Sequence, residues 1–326
     1  MADVSELAAA LRDVVGADEV TEPVRLSGGA SRETWSFDAV VDGEVRRLVL
    51  QRERAGGARQ TGMGVESALL SAAAAVGVPV PAVVADDDAF GGHDGDVGRS
   101  PLGAAFLVVE RLEGETIPRR ILRDEELAVA RGRLAAQCGA ALAGIHALDP
   151  DAVSGLEEVD QLDRYREALD VLGVPHPAFE LAFRWLADHR PRSSARTVVH
   201  GDFRNGNLLV GREGLVAVLD WELAHVGDPL EDLAWLCVRS WRFGAEPRVG
   251  GFGSVDELVD AYEAAGGRPV QREALHWWEL LGTLKWGIMC IAQAEAHRSG
   301  AVRSVELAAI GRRVCEVEHD VLLLLP

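Results

Sequence analysis

The chain has 326 residues, a length that suits two domains or lobes, and its 48% of hydrophobic residues is enough to bury real cores. A formal net charge of −19 argues against a nucleic-acid or anionic-membrane partner. Four cysteines (Cys138, Cys237, Cys290, Cys315) lie far apart without metal-ligand spacing, and no basic residue precedes Arg12, so the expectation is a cytoplasmic protein with neither a zinc site nor a signal peptide.

Residues 4–16 place Leu7, Leu11 and Val14–Val15 on one side, the pattern of an amphipathic helix. Residues 25–37, RLSGGASRETWSF, set Gly28-Gly29 between two strand-like segments. Small residues there let backbone N–H groups approach an anion, although an ordinary hairpin turn has the same composition. Residues 44–54, EVRRLVLQRER, read as a strand with a charged end. Residues 65–76 are Ala-rich and helical, with Glu66 in the first turn, where an acid is favourable. The apolar run through residues 68–85 is broken by Gly77, Pro79 and Pro81, so it is not expected to span a membrane. Residues 86–103 form an acidic, Gly-rich loop in which His93 reads as part of a solvated hairpin tip. Residues 104–113, AAFLVVERLE, give a buried strand that stops at Gly114. The first domain is therefore placed at 1–114 and the second at 115–326.

The second domain reads as mostly helical. One long helix is expected over 121–148, with His146 as a packing or capping group near its end, and a helical stretch follows over 156–190, broken near Gly173, Pro175 and Pro177. Then comes VVHGDFRNGNLLVGREGLVAVLDWE, residues 198–222. A short strand leads into His200-Gly201-Asp202, a turn carries Asn207, and a hairpin over 208–219 returns to Asp220. The alternative is a polar-ended hairpin in which Asp202 and Asn207 only cap turns. Against it, two carboxylates ~4 Å apart repel by ~1 kcal/mol in water and ~4 kcal/mol at an effective dielectric of 20, so such a pair makes most sense around a cation. Asp228-Pro229 reads as a helix start, and Asp232, one turn in, is placed to accept hydrogen bonds from the Asp202 loop. Three helices are expected over 254–265, 272–298 and 302–325. Six of the eight tryptophans follow residue 220, enough for an apolar wall beside a ligand. His225 is a candidate substrate contact, and Lys285, the only lysine, reads as a helix-surface charge.

Asp202 and Asn207 are five apart, as are the Asp and Asn of the protein-kinase catalytic loop, and Asp220-Trp221-Glu222 stands where D-F-G would follow. HGD…N…LDWE resembles the aminoglycoside phosphotransferase family, with its choline-kinase-like variant of the protein-kinase fold. GGASRETW and HGDFRNGNLLV look most like the phosphotransferase-like domain of acyl-CoA dehydrogenase fusion proteins. The resemblance implies an α+β, bilobal fold with a small antiparallel-sheet N-lobe and a larger, mostly helical C-lobe. It implies ATP or another NTP and Mg²⁺ as cofactors, Asp202 as the catalytic base, and Asn207 and Asp220 as metal ligands. Gly28, Gly29, Ala30 and Ser31, in a nucleotide loop running to Arg32, would cover the phosphates, Arg32 either meeting phosphate or merely being exposed, and backbone groups of Glu110 to Leu112 would meet the adenine edge. A kinase-like enzyme carries a strand lysine that grips the α- and β-phosphates and is positioned by a helix glutamate. Here that strand has none. Setting VLQR against the kinase V-A-I-K puts Arg52 at the position, with Gln51 one register earlier as the alternative and Glu66 as the partner.

The acceptor implied is a small-molecule hydroxyl, on a hydroxylated metabolite or hydroxyacyl thioester; an aminoglycoside is the alternative. The missing lysine also supports a second reading, a kinase-fold protein that binds nucleotide without turnover. A third, a metal-dependent hydrolase built on His200, Asp202 and Asp220, leaves Asn207 unexplained. The oligomeric state is open.

Overall fold

The structure is a computed structural model that describes residues 4–26, 32–53, 62–88, 100–192 and 195–326. It opens with helix α1 (Val4–Val15), strands β1 (Glu19–Val20) and β2 (Val24–Leu26), and a long hairpin of β3 (Arg32–Val41) and β4 (Glu44–Glu53). Helix α2 (Met63–Ala75) follows, then β5 (Val83–Asp86) and β6 (Phe106–Glu110). These strands form one antiparallel sheet in the order β1-β3-β4-β6-β5, with β2 also on β3.

Side chains alternate across a strand, so each face of this sheet has its own cover. Phe37, Ala39, Leu48, Leu50, Phe106 and Val108 form a core with Leu7, Leu11 and Val14 of α1. Val49, Leu107 and Val109 look the other way, into a core shared with α2 and the helices beyond. This parity decides which strand residues can reach the site.

The remainder is helical around two small hairpins. Helices α3 (Pro118–Arg123) and α4 (Ala128–His146) replace the single helix expected over 121–148. The break is at Asp124, which is extended; its carbonyl accepts from the Leu127 amide at 3.1 Å, opening a short 3-10 turn, and from the Arg131 guanidinium at 2.6 Å. Next come α5 (Gln161–Leu172), closed by Gly173 in the left-handed conformation, and α6 (Pro177–Asp188). Strands β7 (Thr197–Val199), β8 (Leu208–Gly211), β9 (Gly214–Val218) and β10 (His225–Gly227) pair as β7 with β10 and β8 with β9. Helices α7 (Leu230–Cys237), α8 (Val255–Ala264) and α9 (Arg272–Arg298) follow. The stretch expected as one last helix is two, α10 (Val305–Gly311) and α11 (Val314–Leu324). Helix α8 starts at a capping box in which Ser254 and Glu257 serve each other's backbone amides. No helix among the described residues is long and apolar enough to cross a membrane.

A second helical core joins α5, α6, α7, α9 and α11. Phe179 of α6 is fully buried in it, against Gly287 of α9. Phe179→Ala is expected to cost about 3–5 kcal/mol in urea denaturation, the range for deleting a buried aromatic ring.

Candidate active site

The turn after β7 carries His200, Gly201 and Asp202, and Asp232 of α7 holds it from beneath. Asp232 is fully buried and accepts from the amides of His200 at 2.7 Å and Gly201 at 2.9 Å, with His146 Nε2 at 3.2 Å. Burial alone would raise its pKa, but the hydrogen bond and charge of His146, with His200, hold it below the ordinary range. Gly201 has φ +78°, and a Cβ there would meet the Leu223 carbonyl oxygen at 2.3 Å. That close approach excludes the arginine found at this place in protein kinases. His200 is buried, accepts from the Asp202 amide on Nδ1 at 3.2 Å and donates from Nε2 to the Leu219 carbonyl at 3.1 Å. Burial pulls its pKa down, so the ring is neutral and ties the loop to the residue before Asp220. With both ring nitrogens engaged, His200 is not free to bind a metal.

Asp202 is 8% exposed. Its Oδ1 accepts from Trp235 Nε1 at 2.8 Å and its Oδ2 from Asn207 Nδ2 at 2.6 Å. Arg204 Nε straddles both oxygens at 3.0 and 3.1 Å, with its guanidinium 4.5 Å above the Trp241 ring. Trp235, Trp241 and Trp286 form a buried aromatic cluster, with centroids 5.2 and 4.7 Å apart. Asn207, five residues on, is thus brought onto Asp202, as its spacing implies.

The most concentrated charge lies above this loop. Arg32, the first residue of β3, is 6% exposed. Its Nη1 donates to Glu66 of α2 at 3.1 Å and to the Gln51 side chain. Its Nη2 donates to Asp220 at 2.8 Å and Glu222 at 3.3 Å. Burial would lower the pKa of Arg32, but Glu66, Asp220 and Glu222 outweigh it and hold it above its ordinary value. Asp220 sits at φ +66°, a conformation Asp tolerates better than most side chains. Burial, then Glu222, Asp202 and Glu66, push its pKa up to about 7 against the pull of Arg32.

Arg52 does not join this cluster. It shares a face with Leu48 and Leu50, and pairs with Glu33 at 2.7 Å and the Leu102 carbonyl at 3.2 Å. Gln51, on the opposite parity, is the residue of β4 that faces Glu66 through Arg32. The preference for Arg52 over Gln51 therefore reverses: the VLQR alignment is shifted by one residue.

Lys285 is 3% exposed, not a surface charge. Its Nζ donates to the Gly201 carbonyl at 2.9 Å and to Glu231 at 3.1 Å, and lies 4.6 Å from the Trp235 ring centroid. Burial would lower its pKa, but Glu231 holds it above its ordinary value. Glu231 also meets His225 Nε2 at 3.0 Å, and His225 Nδ1 faces the Leu223 carbonyl at 2.9 Å. The Gln161 side-chain amide also lies 2.8 Å from Nε2, so the buried ring is engaged at both nitrogens. His225 thus braces the loop from within the core. The sole lysine was a signal in the sequence, and Trp235 stood among the tryptophans expected beside a ligand; Arg204 gave none.

At the sheet edge, the amides of Glu110 and Arg111 are taken by the Ala82 and Arg47 carbonyls at 2.9 and 2.8 Å. Leu112, just past the ladder, has no backbone partner among the described residues, so its polar groups are available to a ligand. Gly28, Gly29, Ala30 and Ser31 lie outside the described residues, as does His93. A surface hollow of about 750 Å³ beside Arg248, Ser254 and Arg272 contains none of the residues above.

Residues 23–278 match the phosphotransferase enzyme family, and the chain belongs to that family. Acyl-CoA dehydrogenase family member 10 of Mus musculus is 30% identical over 225 residues, 65% of this chain but only 20% of that protein. The chain thus spans about a fifth of that relative's length. Among solved structures, a putative aminoglycoside phosphotransferase from Ralstonia eutropha superposes with a TM-score of 0.74 at 20% identity, covering 99% of this chain and 98% of the other. A thermostable mutant of aminoglycoside phosphotransferase APH(4)-Ia, in a ternary complex with AMP-PNP and hygromycin B, superposes at 0.61 with 18% identity, covering 97% and 98%. The fold is the bilobal, kinase-like α+β fold expected.

Two outcomes follow from the bracing of the loop. Asp232→Ala leaves two buried amides unpaired and is expected to cost about 3–5 kcal/mol in chemical denaturation, the scale for breaking a buried charged network. For His225, burial lowers the pKa but Glu231 raises it further, for a net rise. Its contribution to stability is full below an unfolded histidine value of ~6.5 and is lost as pH rises through the higher folded value. A melting-temperature profile against pH should show that loss, and His225→Gln should remove it.

Proposed function

We propose that the chain transfers a phosphoryl group from ATP, or another nucleoside triphosphate, to a hydroxyl of a small molecule, with Asp202 as base and Mg²⁺ held by Asn207 and Asp220. The observation that carries this reading is the convergence of Asp202, Asn207 and Asp220 beneath a cation paired with Glu66. The AMP-PNP bound in the APH(4)-Ia complex supports nucleotide use by this fold.

The donor set fits the metal. Amide and carboxylate oxygens suit a hard dication. Asp220 already holds a positive guanidinium, and its raised pKa marks a carboxylate among acids that a cation would relieve. Bound Mg²⁺ would neutralise charge on the transferring phosphate oxygens.

The chain's own groups would do the rest. Trp235 and Asn207 fix the Asp202 carboxylate, and Asp232, His200 and Lys285 fix the loop that carries it. The acceptor hydroxyl would take the place on Asp202 that Arg204 now holds, and Asp202 would orient it and take its proton. Glu66 would position the phosphate-gripping cation, Gly28 to Ser31 would cover the phosphates, and Leu112 would meet the adenine edge through its backbone. We place the lobe boundary near residue 114, and the unpaired cysteines among the described residues fit a reduced, cytoplasmic compartment.

For the acceptor we favour a hydroxylated metabolite or hydroxyacyl thioester. The similarity to a stretch of an acyl-CoA dehydrogenase family member supports it, as does the aromatic cluster beside Asp202. The test is ADP release with a panel of hydroxyacyl thioesters, simple alcohols and aminoglycosides. Asp202→Asn should lower turnover by about 10²–10⁴-fold, the usual contribution of a general base, while retaining nucleotide binding. Near-wild-type turnover by that variant would remove Asp202 from the chemistry.

A further inference from the structure

We propose that Arg32 grips the nucleotide phosphates in this enzyme, and that before nucleotide arrives it occupies the metal ligand Asp220. The inference rests on the phosphotransferase reading and names a residue that the kinase pattern does not assign.

Position comes first. The face of β4 that carries Gln51 also carries Arg47, Val49 and Glu53; Gln51 meets Arg32, Arg47 is spent on Glu113, and Arg52 is turned to the α1 face. Lys285, the only lysine, is held beneath the catalytic loop by Gly201 and Glu231. Among the described residues, Arg32 is the cation that meets both Glu66 and Asp220.

The hydrogen bonds then divide the side chain into two arms. Nη1 is anchored on Glu66 and Gln51, whereas Nη2 rests on Asp220 and Glu222. A metal–nucleotide complex would give Asp220 a dication and offer Nη2 a phosphate oxygen. The Nη2 arm changes partner while the Nη1 arm holds, and charge stays balanced on both sides of the exchange. Glu66 thereby keeps the positioning role that a kinase glutamate has toward its lysine, but toward a cation from the neighbouring strand.

The test uses the full chain, with Mn²⁺ in place of Mg²⁺ for paramagnetic detection and AMP-PNP as the nucleotide. Arg32→Gln should bind Mn²⁺ alone more tightly than wild type, because Asp220 is released. It should bind AMP-PNP with Mn²⁺ about ten-fold or more weakly, the loss of one charge-assisted contact. Opposite shifts separate this role from a structural one, in which both affinities fall together. Adding Gln51→Lys to Arg32→Gln returns a cation to the same face and should restore nucleotide affinity; this charge-conserving double variant carries the test if the single one fails to fold. Wild-type affinity in Arg32→Gln, loss of binding on Arg52→Gln in its place, or no rescue in the double variant would each overturn the assignment. A wild-type chain that binds neither AMP-PNP nor Mn²⁺ would overturn the phosphotransferase reading itself.

Discussion

Among the described residues, the Arg32 guanidinium meets three carboxylates that would otherwise repel. Glu66 comes from the helix behind the sheet, Asp220 and Glu222 from the far side of the β8–β9 hairpin, and all three meet Arg32. Like charges at ~4 Å cost ~4 kcal/mol per pair at an effective dielectric of 20, so this corner closes only with a cation in it. Arg32 therefore does two things at once. It joins the sheet to the helical part of the chain, and it marks where further positive charge belongs when phosphate enters.

Beneath it, a second polar layer works by hydrogen bonding. Asp232 takes two consecutive loop amides, His200 links the loop to the strand before Asp220, and Lys285 takes the Gly201 carbonyl. Each of these groups is buried and paired, which is the condition for such a network to rigidify rather than destabilise. The consequence for function is a carboxylate, Asp202, whose direction is set by Trp235 and Asn207. Arg204 is half-exposed beside it and holds the position that an incoming hydroxyl needs.

The central motif was legible because its spacing is set by chemistry. An Asp, an Asn on the same turn and an Asp after a hairpin leave few alternatives. Glu66, expected to partner a strand cation, does pair with a strand arginine, Arg32 in place of Arg52. Arg52 was misplaced because a strand's parity is decided by what covers each face, and only the packing of α1 on Leu48 and Leu50 settles that. Lys285 was misread because α9 is buried over much of its length, so helical periodicity does not separate core from surface there. The helix break at Asp124 has no Gly or Pro to announce it.

The measurement that bears most directly on the metal–nucleotide site is thermal stability with AMP-PNP, Mg²⁺, both and neither. A ligand stabilises only the state that binds it, so the expected result is an upward shift that requires both together. An equal shift with AMP-PNP alone would contradict the assignment of Asn207 and Asp220 as metal ligands. It would favour a nucleotide binder without turnover.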